Sequence, residues 1–271
     1  MKVHHLDCAT MCPRMAGLVN EKRHMVCHCL LVETSAGLVL IDTGLGTGDI
    51  ADPARLGKTF QWLTRPRLAL EQTALSRVQA LGFSASDVRH IVVTHLDLDH
   101  AGGLPDFPAA RVHVHEKELA AARARASYKD RGRYIPAHFA HQPDWVTHAA
   151  DGESWFGLDR VRAIDGCDDE ILLVPLFGHT LGHCAVAVRT PDHWLLHCGD
   201  AYFYHREVDP ANPRCTFGLR VFQSIVETDR QNRLASQQRL RDLMAGHSSE
   251  IVPFCAHDPV ELERLAAGRP G

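Results

Sequence analysis

The chain has 271 residues, 45% of them apolar, with a formal net charge of −4 and a pI near 6.5. This composition supports a substantial core and excludes a low-complexity or disordered chain. The chain has no block of Lys and Arg, which argues against a nucleic-acid partner. It also has no apolar run near the roughly 20 residues that span a bilayer. Since the N-terminus lacks a signal-peptide pattern, we expect a cytoplasmic protein with a small-molecule partner and no membrane partner.

The first half of the chain is predicted to alternate strands and helices. Runs rich in Val and Leu indicate strands, and apolar residues at helical spacing indicate helices. A turn at 35–37 joins the first two strands as a hairpin. The predicted elements are strands at 26–34, 38–41, 90–94 and 112–115, helices at 68–81 and 116–126, and an irregular stretch from 128 to 157.

The second half repeats this theme without a close sequence repeat or an evident linker. Strands are predicted at 170–174, 184–189, 194–198 and 251–254, one long amphipathic helix at 222–244, and a last helix at 259–267. Strands paired with helices in both halves predict an α/β sandwich of two sheets with helices outside. We expect one domain spanning 1–271.

Nine Cys and nineteen His are present. The Cys are scattered and form no CxxC pair, which favours free buried thiols over disulfides or a structural zinc knuckle. The His are more informative, because several stand in groups with the spacing of metal ligands.

The first motif directly follows the buried strand at 90–94. If the backbone stays extended, His95, Asp97 and Asp99 share one face, because side chains alternate along a strand. His100 then lies on the following turn, where it can face a second ion. Imidazole and carboxylate groups bind zinc, and carboxylates also suit iron or manganese. Four such residues within six positions predict a cluster of divalent ions rather than a polar surface loop.

Three later residues of ligand type also stand after predicted strands, namely His179, Asp200 and His257. Each is a weak signal alone, and His257 alone would more often be a loop histidine. Together with the first motif they complete a set of seven candidate ligands for two metal ions. His183 follows the same strand as His179, but we expect it to support the ligands rather than to bind metal.

Together these segments resemble the metallo-β-lactamase-fold hydrolases, whose pattern is HxHxDH, then GHTxGH, then Gly-Asp at a strand end, then a final His. The corresponding segments are 95–100, 178–183, 199–200 and His257, and the match begins near Leu40. The resemblance implies an αβ/βα four-layer sandwich, in which two mixed β-sheets are flanked by helices and the metals lie at one edge between the sheets. Within this superfamily the chain is most similar to the lactonases that open N-acyl homoserine lactones, the quorum-quenching enzymes.

The resemblance also implies a ligand set. It assigns His95, Asp97 and His179 to the first metal, Asp99, His100 and His257 to the second, and Asp200 to a bridge between them. Asp97 departs from the pattern, because the family has its second His at this position. Either Asp97 binds through oxygen, which favours iron or manganese beside zinc, or it does not bind and the first site is weak.

The implied chemistry is two-metal hydrolysis of a lactone or related ester, with Asp99 positioning the nucleophile and carrying a proton to the leaving group. In the lactonases a tyrosine shortly after the bridging Asp contacts the substrate carbonyl. Phe203 stands at the matching distance here, so either neighbour, Tyr202 or Tyr204, is a candidate for this contact, and packing in the core is the alternative. The resemblance is also compatible with a homodimer.

The same fold also supports other activities. A thioester hydrolase of the glyoxalase II type and a metal-binding redox protein linked to flavin are the alternatives, although both usually carry a further C-terminal region. A β-lactamase is disfavoured because those enzymes usually lack the bridging Asp. A nuclease is disfavoured by the negative net charge.

Overall fold

The structure is a computed structural model that describes residues 1–149, 151–167 and 170–268. Its first sheet has six strands that lie side by side in chain order. The second strand is antiparallel to both the first and the third, whereas the third to the sixth run parallel to one another. These strands are β1 (Lys2–Met11), β2 (Met25–Thr34), β3 (Gly37–Ile41), β4 (Val88–Val92), β5 (Arg111–His115) and β6 (Asp144–His148).

A short hairpin of β7 (Gly152–Trp155) and β8 (Leu158–Arg160) precedes the second sheet. The strands of this sheet are β9 (Arg162–Ala163), β10 (Ile171–Pro175), β11 (Cys184–Arg189), β12 (Trp194–His197) and β13 (Ile251–Phe254). They lie in the order β13-β12-β11-β10-β9, and only the pair of β12 and β13 is parallel. Both sheets are therefore mixed, as the sequence predicts.

The α-helices of the first half are α1 (Thr47–Ala51), α2 (Lys58–Thr64), α3 (Ala74–Ala80), α4 (Leu98–Ala101), α5 (Glu116–Ala124) and α6 (Tyr128–Arg133). Those of the second half are α7 (Phe217–Val226), α8 (Arg230–His247) and α9 (Pro259–Ala266). Within the described residues, none of these helices has the length and apolar character that crossing a membrane requires.

Three apolar clusters separate the four layers. Leu40 of β3 lies in a cluster with residues of α3 and α5, on the outer face of the first sheet. Its neighbour Ile41 points the opposite way, because strand side chains alternate, and shares a second cluster with Val186 of β11. Ala187 of β11 packs in a third cluster with Leu240 of α8. The layers thus follow the order helices, sheet, sheet, helices, which confirms the predicted αβ/βα sandwich.

The predicted single helix at 222–244 is wrong, because two helices, α7 and α8, occupy this region. In the break between them, the backbone N–H groups of Thr228 and Asp229 donate to the carbonyls of Gly178 and His179 at 2.9 to 3.0 Å. These tertiary hydrogen bonds replace the intrahelical ones. The sequence carries a signal of this break, because residues 227–233 are all polar and Asp229 accepts from the N–H of Asn232 at 3.0 Å as the N-cap of α8.

Two other predicted segments also differ. The helix expected at 68–81 is confined to α3, and the stretch expected to be irregular at 128–157 contains α6, β6 and β7. A local signal for α6 was present in the sequence. Ser127 accepts from the N–H of Asp130 at 3.0 Å, and Asp130 accepts in return from the N–H of Ser127 at 2.9 Å. This reciprocal pair is the capping box that starts a helix.

Candidate metal centre

The candidate ligands follow the carboxyl ends of four strands, β4, β10, β12 and β13. The last three point the same way in the second sheet, because β11 runs antiparallel to both of its neighbours. The loops after these strands therefore leave from one edge of the sheet. They carry His179, Asp200 and His257, respectively.

The first motif turns sharply soon after β4. The prediction of an extended backbone through Asp99 is wrong, because the carbonyl of Asp97 accepts from the N–H groups of His100 and Ala101, each at 2.9 Å, and starts α4. A helix rotates successive side chains by about 100°, so Asp97 and Asp99 do not share one face. The side chains of the motif consequently divide between two groups of donor atoms.

The first group consists of His95, Asp97, His179 and Asp200, whose donor atoms all lie within 4.8 Å of one another. Asp97 Oδ2 is 3.1 Å from His179 Nε2 and 3.5 Å from His95 Nε2. Asp200 Oδ2 is 3.4 Å from His179 Nε2 and 3.8 Å from His95 Nε2. Two imidazoles and two carboxylates thus converge on one point.

The second group lies on the other side of Asp200. Asp200 Oδ1 is 3.1 Å from His257 Nε2 and 3.3 Å from His100 Nε2. Asp99 Oδ2 is 3.7 Å from His257 Nε2, and Asp99 and His257 form a further set of donors with Cys27 within 4.8 Å. Asp200 therefore offers one oxygen to each group, which is the geometry of a bridging ligand.

The unpartnered atoms at this site fit bound cations. His95 Nε2 and Asp200 Oδ1 are buried and have no hydrogen-bond partner. Buried polar atoms in folded proteins are almost always satisfied, and a divalent ion in each group would satisfy both. The donors are imidazole and carboxylate groups, with a thiol beside the second group, all of which bind divalent transition metals.

Hydrogen bonds from the far side of the rings orient three of the imidazoles. His100 Nδ1 lies 2.8 Å from Asp42 Oδ2, and His95 Nδ1 lies 2.9 Å from Thr94 Oγ1. His257 Nδ1 lies 2.7 Å from a backbone carbonyl of β2. Each ring therefore directs Nε2 at the donor groups, as metal-binding histidines with such outer partners do.

The surrounding charges hold two carboxylates in the ionised form that metal binding requires. Burial raises the pKa of both Asp97 and Asp200. At Asp97, the positive charge of Arg133 and the neighbouring imidazoles outweigh burial and hold the pKa well below its usual range. At Asp200, His257 and His100 contribute most to the same lowering of the pKa.

His183 supports the centre, as the sequence predicts, by accepting from the backbone N–H of Asp200 at 2.9 Å. Glu118 was missed and has a comparable role. Its carboxylate is fully buried and accepts from the N–H of Leu96 at 3.0 Å, the N–H of Gly182 at 3.1 Å and the hydroxyl of Thr180 at 2.6 Å. It thus joins the loop of the first motif to the loop that carries His179.

Two further residues near the ligands were not singled out from the sequence. Cys27 of β2 was grouped with the scattered thiols, yet it lies with Asp99 and His257. Arg133 lies at the end of α6, in the stretch predicted to be irregular, and donates from Nη1 to Asp97 Oδ1 at 2.9 Å. No local pattern in the sequence marks either residue as part of the site.

The structure brings neither predicted tyrosine to the donor groups. Tyr202 is fully buried, and its hydroxyl donates to Glu261 Oε1 at 2.9 Å. Tyr204 is directed at Glu21, whose carboxylate raises the pKa of the phenol after the larger effect of burial. A contact of either tyrosine with substrate therefore stays a prediction.

Phe203 is the aromatic residue of this segment that faces the centre. Its ring stacks on His257 with centroids 5.3 Å apart and lies 6.0 Å from the ring of His179. Phe222 of α7 packs edge-on against it at 5.4 Å. One wall of the centre is therefore apolar.

The chain belongs to the Metallo-beta-lactamase superfamily, whose family description matches residues 23–253. A probable metallo-hydrolase of Mycobacterium tuberculosis is 42% identical over 98% of this chain and 83% of its own length. The N-acyl homoserine lactonase AttM of Agrobacterium fabrum is 27% identical over 84% of this chain and 80% of its own length.

Solved structures agree on the fold. A variant of AiiA from Bacillus thuringiensis, with N-decanoyl-L-homoserine bound at its active site, superposes with a TM-score of 0.71 over 97% of this chain and 95% of its own, at 21% identity. The superfamily, the fold and the cluster of His and Asp donors define this chain as a metallo-hydrolase.

Proposed function

We propose that this protein is a dinuclear hydrolase that opens lactones of the N-acyl homoserine lactone type or close relatives of them. The observation that carries the proposal is the position of Asp200, whose two oxygens face two separate groups of donors. The similarity to AttM, an N-acyl homoserine lactonase, supports the substrate class.

Two divalent ions, which we propose to be zinc, would polarise the substrate carbonyl and supply a nucleophilic water near neutral pH. The donor groups suit zinc, and the thiol of Cys27 beside the second group adds a soft donor that favours zinc over manganese. His95, Asp97 and His179 would hold one ion, Asp99, His100 and His257 the other, and Asp200 both.

Asp99 is the residue that we propose to move the proton. Its side chain is 14% exposed, whereas those of His100, His257 and Asp200 are at most 5% exposed. A carboxylate that borders both the donor groups and solvent can orient a water and pass a proton to the departing alkoxide.

The apolar wall of Phe203 and Phe222 determines how the rest of the substrate is received. A carbonyl cannot accept a hydrogen bond from Phe203, so polarisation of the carbonyl falls to the metals. Phe222, which is partly buried and packs on the almost fully buried Phe203, instead offers an apolar surface that suits the hydrocarbon part of an acylated lactone.

The test is to measure metal content and hydrolysis on one purified sample. The panel contains short and long acyl homoserine lactones, simple γ- and δ-lactones, a glutathione thioester and a cephalosporin. We expect two metal equivalents per chain and fastest turnover of a lactone. In His95→Ala, which removes a donor of the first group, we expect the loss of about one metal equivalent and of lactone turnover. His247→Ala, at the end of α8, is the matched control and should behave as the wild type.

The outcomes separate the site from its substrate. If the protein binds two metals and hydrolyses the thioester but no lactone, the proposed activity changes from lactonase to thioesterase. Fewer than two metal equivalents in the wild-type protein after incubation with excess zinc would overturn the dinuclear centre itself.

A further inference from the structure

Asp97, which replaces the second His of the family pattern, has a partner of its own. Arg133 donates from Nη1 to Asp97 Oδ1 at 2.9 Å. The other oxygen, Oδ2, remains directed at His179 Nε2, 3.1 Å away, and at His95 Nε2, 3.5 Å away. The two oxygens are therefore divided between the guanidinium and the first group of donors.

Arg133 is fixed in this position from the opposite side. Its side chain is only 7% exposed, and Nη2 donates to the carbonyl of Val226 at 2.5 Å. Val226 is the last residue of α7, where the helix dipole favours a cation. The break between α7 and α8 thus anchors Arg133, and the same break anchors the loop of His179 through Thr228.

The charges of the pair compensate each other. A carboxylate in place of a neutral imidazole lowers the charge of the first group by one. The guanidinium, which is always protonated in proteins, raises it by one. The pair of Asp97 and Arg133 therefore has the net charge of the single histidine that it replaces.

We propose that Asp97 and Arg133 act together as a composite ligand of the first metal, an inference that rests on the proposed metal centre but not on the substrate. Asp97 binds through Oδ2. Arg133 is a positioning residue that holds Oδ1, restricts the carboxylate to one-oxygen coordination and cancels its charge. The opposite arrangement, in which Arg133 withdraws Asp97 from the metal, is the competing outcome.

The test compares the metal affinity of four variants, without reference to turnover. Each metal-free protein is titrated with zinc against a chromophoric chelator, which resolves the two sites. In Arg133→Met we expect the affinity of one site to fall about 10- to 100-fold, the loss typical for an outer partner of a ligand, while the other site is unchanged. Arg133→Lys keeps the positive charge but lacks the planar guanidinium, so we expect a smaller loss of zinc affinity.

The reciprocal variants make the inference specific. Asp97→His restores the family residue but leaves the buried guanidinium without its carboxylate, so we expect weak binding at one site. The double variant Asp97→His with Arg133→Met removes the guanidinium and should recover two tight sites. Arg131→Met, on the exposed side of α6, is the matched control and should bind as the wild type.

Two results would overturn the proposal. One is Arg133→Met that binds both metals as tightly as the wild type, which would show that Arg133 does not support Asp97, or more tightly, which would show that it withdraws Asp97 from the metal. The other is Asp97→His that binds as well alone as in the double variant. If Arg133→Met does not fold, as judged by circular dichroism, Asp97→His decides by itself, because a folded Asp97→His that binds both metals as tightly as the wild type would overturn the proposal.

Discussion

Among the described residues, two of the groups of buried histidines differ in what stands between the rings. At the metal centre, His95, His100, His179 and His257 surround the carboxylate of Asp200. In a second group, here named the histidine chain, the rings contact each other directly. His90 Nδ1 lies 2.9 Å from His113 Nε2, and His113 Nδ1 lies 3.1 Å from His148 Nε2.

Two rings of the centre, His100 and His257, have the opposite electrostatics to the histidine chain, whereas burial lowers the pKa of His179 to about 4. At the centre, Asp200 raises the pKa of His100 and of His257 against the lowering effect of burial. In the histidine chain, burial and the neighbouring rings lower the pKa of His113 to about 3. At the centre, His100 Nε2 and His257 Nε2 lie 3.3 Å apart, but both also face Asp200 Oδ1, whereas His90 Nδ1 and His113 Nε2 are paired with each other. A carboxylate between the rings, rather than the number of histidines, therefore distinguishes the candidate metal site from a packed polar network.

The largest expected effect comes from removing that carboxylate. Asp200→Asn keeps the shape of the side chain but removes the charge shared by both donor groups. We expect both metal equivalents to be lost on dialysis, with a fall in affinity beyond the roughly 10- to 100-fold caused by losing an outer partner. Asp192→Asn, an exposed carboxylate, is the control. Retention of two metal equivalents by a folded Asp200→Asn would show that the shared carboxylate is not what makes these histidines a metal site.

The histidine chain should instead appear in the acid stability. The pKa of His113 is about 3 in the folded chain, against 6.5 as its ordinary value. Between these values the unfolded chain binds the proton and the folded chain does not. The contribution of His113 to the free energy of unfolding is therefore fully present above about pH 6.5. It is lost as the pH is lowered toward 3, by at most about 1.4 kcal/mol per pH unit.

The variant that checks this is His113→Gln, which cannot titrate. Urea unfolding of both metal-free proteins at several pH values between about 7.5 and 4.5 brackets the change of histidine charge. We expect His113→Gln to be less stable near neutral pH, because it loses a buried hydrogen bond, but to lose stability less steeply toward acid. Parallel profiles would show that the chain does not control acid stability.

The His and Asp donor residues that the structure brings together could be singled out in the sequence because each is a residue of ligand type in a segment that follows a strand. The supporting residues could not. Arg133 lies 36 positions after Asp97, and its burial depends on where α7 ends. Glu118 reads as an ordinary residue of a solvated helix, although its carboxylate is fully buried. Such contacts depend on tertiary structure and leave no periodic signal.

The fold divides in the same way. Strands such as β11 and β13 were predicted with correct bounds because apolar runs between polar turns mark them directly. The extended backbone through Asp99 and the unbroken helix at 222–244 were wrong for different reasons. After β4 the local pattern permits an extended chain, and the hydrogen bonds to the carbonyl of Asp97 that start α4 replace it. The break between α7 and α8 instead has a signal in the sequence, the polar run 227–233 with Asp229 as the N-cap of α8.

The smallest expected effect comes from Tyr202, which follows the centre along the chain but does not contact the donor groups. Its hydroxyl donates to Glu261, whose pKa is raised to about 7 by burial and by the charge of Asp258. Tyr202→Phe removes one hydrogen bond, so we expect a loss of about 1 kcal/mol of stability with unchanged metal content and turnover. Tyr204→Phe, at a more exposed position, should lose less.

Kinetics decide between this placement and the substrate contact expected from the sequence. A residue that only packs beside Glu261 should leave kcat and KM for the preferred lactone as in the wild type. A tenfold or larger fall in kcat for Tyr202→Phe, at full metal content, would mean that the segment after Asp200 rearranges when substrate binds. Tyr202 would then be part of the substrate site, although in this structure it is as fully buried as the histidine chain.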